Sequence, residues 1–136
     1  KKDIIVNDQG DNIAPQKLEG MLTLQPEVAQ AMVAGDRRPH MVALVVPDAD
    51  WLATWAKANG EQPDLPTLSE NPEFRAAIKA AIDRTNADLS VIEKVRKFAL
   101  ADEAFSVANG EMTPTMKIRR HQIRARYGDR LEALYR

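Results

Sequence analysis

The run Met41 to Val46, MVALVV, is apolar at every position and half valine. A strand with one wet face alternates apolar and polar residues. An unbroken run of strand length, far short of the roughly 18 to 20 residues that cross a bilayer, reads as a strand buried on both faces. Val28 to Ala34 upstream has the same small and β-branched character, and the GDRRP between the two runs is a turn signal, so the pair predicts a hairpin.

The flanking segments supply the remaining elements. Asp3 to Val6 reads as a short strand followed by a turn rich in Asn, Asp and Gly, with a return through Ile13. Pro15 suits the first turn of a helix bearing Leu18, Met21 and Leu22, which stops near Gln25-Pro26. Asp48 or Asp50 caps a helix carrying Leu52, Trp55 and Ala56 that ends at Asn59-Gly60, and EQPDLPTLSENP reads as a proline-rich surface loop. After Asn71-Pro72, the residues Phe74, Ile78, Ala81, Ile82, Thr85 and Leu89 trace one helical face, extending toward Ile92. KVRKFAL then alternates, with Phe98 and Leu100 on one side, as a third sheet strand, and a basic terminal helix follows. The fold class is α+β: a small, mostly antiparallel sheet with an N-terminal hairpin, covered by helices. At 136 residues the whole chain, 1–136, is expected to be one domain. It opens directly into a strand, without an initiator Met or signal-peptide architecture, and so reads as part of a larger polypeptide.

Several chemistries are excluded early. There is no cysteine, which removes disulfides, thiolate zinc and cysteine nucleophiles; the two histidines, His40 and His121, have no partner at ligand spacing, so no metal site is expected. His121 has no evident Ser or Asp partner for a triad, and Asp48 with Asp50 reads as a helix cap before an acid/base pair. Trp51, Trp55 and Phe74 read as packing.

Charge is more informative by position than in total. The net charge is −1, yet Lys117 to Arg136 holds seven Lys or Arg against Asp129 and Glu132. A nucleic-acid surface needs stacking aromatics among the cations, and only Tyr127 is near; a solvated helix face or a domain contact is the simpler reading of Arg119, Arg120, Arg124 and Arg126. Lys117 stands apart as the lone lysine among arginines. It follows Thr113-Pro114-Thr115, which fixes a turned backbone, and Ile118 beside it is expected to pack inward, so that Lys117 projects outward. A compact charge on a flexible stem suits a residue that must enter a cleft and touch two anionic oxygens. The turn NDQGDN has one glycine, too few for a phosphate loop of the Walker type, and reads as a hairpin turn.

Two stretches carry a resemblance. KKDIIVNDQGDNIAPQKLE is similar to the hinge and glycine-turn motif of the acyl-adenylate-forming enzymes, above all the long-chain fatty acid–CoA ligases, and GEMTPTMKIRRHQI resembles the final motif of the same family. Together, in this order, they cover essentially the whole chain. The resemblance implies the mobile C-terminal lid domain of an ATP-dependent ligase whose N-terminal domain binds ATP, Mg2+ and the fatty acid. It implies that Lys117 bridges the fatty carboxylate and the nucleotide during adenylation, and that Lys2 lies at the hinge of domain rotation. The turn of Asp8, Gln9, Gly10, Asp11 and Asn12 would then help form the path for the pantetheine of CoA. The partners implied are the chain's own N-terminal domain, fatty acid, ATP and CoA, in the cytoplasm, with room for peripheral association of the full enzyme at the inner face of the membrane. Two other readings stay open: a lid of the fatty acyl-AMP ligase type, whose acceptor is a carrier-protein thiol, and a stand-alone anion- or nucleic-acid-binding module. Gln9 departs from the first glycine of the family's turn, whereas Met116, before the lysine, is what the long-chain subgroup has there.

Overall fold

In the computed structural model, which describes residues 3–136, the MVALVV run lies at the centre of a three-stranded sheet. In chain order the elements are β1 (Ile5–Val6), β2 (Asn12–Ile13), α1 (Pro15–Leu22), β3 (Val28–Ala34), β4 (Met41–Pro47), α2 (Ala49–Ala58), α3 (Leu65–Leu68), α4 (Pro72–Asn86), β5 (Val95–Leu100) and α5 (Arg120–Glu132). The sheet order is β3-β4-β5, and β1 pairs with β2 in a separate small antiparallel ribbon.

Every residue of β4 is buried, as its composition predicts. Met41, Ala43 and Val45 face one core with α1, α2 and α4; Val42, Leu44 and Val46 face a second core with Ile123, Tyr127 and Leu131 of α5. The sheet is thus a middle layer between two helical layers. Each fully buried aliphatic side chain contributes about 1.5–3 kcal/mol, so both faces of one strand hold the molecule together.

The β3–β4 pair is antiparallel, the predicted hairpin, but β4–β5 is parallel, so the main sheet is mixed. The reason is the connection: three helices intervene between β4 and β5, and a helical crossover returns the chain in the same direction. Within this pair Met41 faces Val95 and Val42 faces Lys97, so Arg96 is an extra residue in a bulge. The bulge resets the alternation, leaves Arg96 and Lys97 exposed, and returns Phe98 and Leu100 to the core that Val95 faces.

Helix ends follow the capping chemistry. Asp48 accepts the N–H of Trp51 at 2.9 Å, and Asn71 Oδ1 accepts the N–H groups of Glu73 and Phe74 at 2.9 and 3.1 Å. The stretch expected to be only a loop contains α3, capped by Asp64 through the N–H of Thr67 and bearing Pro66 near its start; Leu68 is fully buried. Helix α4 stops at Asn86 rather than extending to Ile92. Asn86 itself pairs with both backbone groups of Val95, at 2.8 and 2.9 Å, which binds the helix end to the start of β5.

Candidate functional site

Residues 111–119 form a miniature hairpin ahead of α5. Met112 and Ile118 make an antiparallel bridge, and the N–H of Arg119 donates to the carbonyl of Glu111 at 2.9 Å. At the tip, the N–H of Met116 donates to Thr113 O at 2.9 Å around Pro114, and the N–H of Thr113 donates to Lys117 O at 2.8 Å. The N–H of Lys117 reaches Thr113 Oγ1 at 3.1 Å. Met112 and the half-buried Ile118 pack against the α5 core, so the hairpin is rooted while its tip is exposed. Lys117 is exposed; its backbone groups are used within the loop, and among the described residues its ammonium has no carboxylate partner. Met116 holds φ = 67°, a left-handed conformation that turns the chain just before the lysine.

The second predicted feature, the turn at residues 8–12, owes its shape to Asn7. That buried side chain accepts the N–H of Gln9 at 3.0 Å and of Asp11 at 2.9 Å, while Asn7 N–H donates to Asp11 O at 3.1 Å. Gly10, at φ = 84°, takes the left-handed position. Gln9 is not at positive φ, so the missing first glycine is not needed for this turn geometry. The N–H of Asp8 donates to Arg38 O at 3.0 Å and that of Arg37 to Val6 O at 2.7 Å, which seats the ribbon on the β3–β4 turn. Asp8, Gln9, Gly10 and Asn12 are exposed and Asp11 is half-buried. No hydrogen bond or ion pair joins this turn to the Lys117 loop among the described residues; they are separate surface features of one body. Lys2 lies outside the described residues.

Of the four arginines read as a solvated face or a domain contact, Arg120 and Arg126 are ion-paired within the chain, and Arg119 donates to Gly110 O at 3.2 Å. Arg120 forms a two-pronged pair with Glu19, at 2.5 and 2.6 Å, and its Nε donates to Asp3 at 2.9 Å. Burial works against the charged guanidinium, but the hydrogen bonds and charges of Glu19 and Asp3 outweigh it and raise the pKa of Arg120. Arg126 bonds Glu103 at 2.7 Å and the buried Glu111 at 3.2 Å, and Arg130 bonds Asp102 at 2.9 Å and Leu100 O at 2.7 Å. The fully buried Tyr127 lies under both, its OH accepting the N–H of Asp102 at 3.1 Å. One signal for the Arg120 pair was in the sequence. The buried residues of α1 are Pro15, Leu18, Glu19 and Leu22, spaced i, i+3, i+4, i+7, so the periodicity alone puts Glu19 on the apolar face, where a carboxylate requires a partner.

Among the described residues no group of three His, Cys, Asp or Glu is placed to hold a metal ion. Among them, too, no helix is long and apolar enough to cross a membrane.

Solved structures with this architecture are adenylate-forming enzymes. The A-PCP didomain of a carboxylic acid reductase from Segniliparus rugosus, in complex with AMP, matches 98% of this chain over 17% of its own, with a TM-score of 0.79 and 28% identity. A fatty acyl CoA synthetase of Mycobacterium tuberculosis shares the fold at a TM-score of 0.56 and 19% identity, over 93% of this chain and 20% of its own. Residues 2–136 match the model of the AMP-binding enzyme C-terminal domain, and the chain belongs to that family. It is 38% identical over 138 residues to the long-chain-fatty-acid–CoA ligase 1 of Cavia porcellus and 35% identical over 137 residues to the long-chain-fatty-acid–CoA ligase FadD15 of Mycobacterium tuberculosis. Each alignment covers 99% of this chain but only 20% and 23% of those relatives, so the chain spans less than a quarter of their length.

Proposed function

We propose that this chain is the mobile C-terminal lid of a long-chain fatty acid–CoA ligase, which converts fatty acid, ATP and CoA to acyl-CoA, AMP and diphosphate together with an N-terminal domain of the same polypeptide. The observation that carries the reading is Lys117: an exposed ammonium, without a carboxylate partner among the described residues, at the tip of a hairpin rooted in the core. Adenylation brings a carboxylate onto the α-phosphorus of ATP, two anions that repel. A cation held between them stabilises the transition state more than the separated reactants. A loop of fixed shape delivers that charge without reordering at the moment of reaction.

The second half-reaction needs the same place for a thiol. Rotation of the lid about Lys2 withdraws Lys117 and turns Asp8, Gln9, Gly10, Asp11 and Asn12 toward the pantetheine path. ATP and Mg2+ are bound mainly by the N-terminal domain, and the compartment is the cytoplasm, with peripheral contact at the inner face of the membrane. In the intact enzyme, Lys117→Ala is expected to slow adenylation by about 100- to 1,000-fold while sparing thioester formation from supplied acyl-adenylate. Equal damage to both half-reactions would count against the role. The isolated domain is expected to be inactive.

A second reading has one observation behind it: the solved structures at a TM-score of 0.79 are reductase adenylation domains, one of them an A-PCP didomain. On that reading the acceptor is a carrier-protein thiol. Comparing free CoA with carrier protein across a chain-length series separates the two, and the 35–38% identity to CoA ligases favours CoA.

A further inference from the structure

Arg120 is the first residue of α5, three residues beyond Lys117, and its guanidinium binds two other parts of the molecule, α1 and the chain at Asp3. Two nitrogens grip Glu19 of α1, at 2.5 and 2.6 Å. Glu19 is buried, and its Oε2 also accepts the N–H of Val33 in β3 at 2.8 Å, so the carboxylate ties helix and sheet to the arginine. The third nitrogen, Nε, donates to Asp3 at 2.9 Å. Asp3 follows the proposed hinge residue directly in the chain. One planar group therefore joins the stalk of the lysine loop to the point where the chain enters the domain.

We infer that Arg120 is a positioning residue for Lys117, and that its contact with Asp3 makes the segment just after the hinge and the lysine loop move as one lever; this rests on the role proposed above for Lys117 and Lys2. The two legs do different work. The Glu19 leg is shielded from solvent and holds the stalk on the core. Asp3 is exposed over 59% of its side chain, and an ion pair that open adds little to stability. Its effect is geometric: held by Arg120, the rigid body starts at residue 3 and the pivot is confined to what precedes it. Released, residues 3 and 4 add freedom to the joint, and the arc through which rotation carries Lys117 is no longer fixed. Lysine at position 120 keeps a charge but has no fork, and reaches one carboxylate where arginine reaches both.

The test uses the full-length enzyme with the half-reactions measured separately and thermal unfolding recorded for each variant. Asp3→Asn and Arg120→Lys are each expected to lower kcat for adenylation by about tenfold, the scale of a small misplacement far from the chemistry. KM for ATP and fatty acid stays unchanged, as does the rate of thioester formation from supplied acyl-adenylate. Asp3→Asn leaves the unfolding temperature where it was, which separates a positioning effect from damage to the fold, and Asp3→Glu restores the adenylation rate. Run beside them, Lys117→Ala keeps the two ideas apart. If Lys117→Ala slows adenylation while Asp3→Asn and Arg120→Lys, both folded, do not, the lever is wrong and the lysine stands. If Lys117→Ala has no effect on adenylation, the reading beneath it falls. An equal loss from Asp3→Asn in both half-reactions overturns the lever as well.

Discussion

Met116 is 71% exposed and sits at φ = 67°, where the Cβ of an ordinary residue crowds the following carbonyl. Its side chain buries little, so its importance is in the backbone: this residue turns the chain from the Thr-Pro-Thr corner to Lys117. A β-branched residue tolerates that conformation least. Met116→Val is expected to lower stability by about 1–2 kcal/mol at an exposed position where substitutions ordinarily matter little, whereas Met116→Gly changes it by less than about 1 kcal/mol, strain relief and added chain entropy opposing each other. Urea unfolding with unchanged m-values reads both, and equal effects of Val and Gly would refute the backbone account. The exposed position of Lys117 was legible in the sequence because a lone lysine after Thr-Pro-Thr is a local pattern. The pairing of Arg120 was not, because its partners lie 101 and 117 positions away. Only Glu19, at a core-facing position of α1, gave a local hint.

Elements were legible wherever the pattern within them decided the outcome. The hairpin β3–β4, an aspartate cap at the start of α2, the start of α4 after Asn71-Pro72 and its apolar face all follow from residues inside or beside each element. Two prolines concealed α3, although Asp64 and Leu68 are the ordinary ends of a short capped turn. The parallel pairing of β5 was hidden for another reason: VRKFAL presents the same faces to either direction, and the helical connection fixes the direction. The chain's last turn, Ala133–Tyr135, allows an element-level check by pH. Tyr135 donates to His40 O at 2.8 Å, and burial pushes its phenol up to about 12, against the lowering effect of Arg38 and Arg124. The folded protein then holds this proton more tightly than the unfolded chain does. Stability from this group is present below the ordinary tyrosine value near 10 and is lost as pH rises from there toward about 12. The urea midpoint should fall across that window, and Tyr135→Phe should flatten much of the slope, leaving the part due to Tyr127, which burial also raises. An unchanged slope in Tyr135→Phe would place the titration elsewhere.

For the molecule as a whole, the consequence of a central strand buried on both faces is that its two cores are not separable. Leu44 faces the α5 side, Val45 the side of α1, α2 and α4, and they are neighbours on one strand. The sequence supplies a reporter for each side: Trp51 and Trp55 pack with Phe74 on the first core, and Tyr127 and Tyr135 lie on the second. If β4 couples the layers, a cavity opened on one face weakens both. Leu44→Ala, at a fully buried site, should cost about 2–5 kcal/mol. Tryptophan fluorescence and tyrosine near-UV signals should then shift to lower urea together, with coincident midpoints. Layers that melt independently would instead move the tyrosine signal and leave tryptophan behind. Such a molecule could not act as the stiff arm that carries Lys117, since the Glu19–Arg120 pair joins α1 on one face of the sheet to α5 on the other. Coincident transitions in Leu44→Ala are therefore a requirement of the proposed lid motion as well as of the fold.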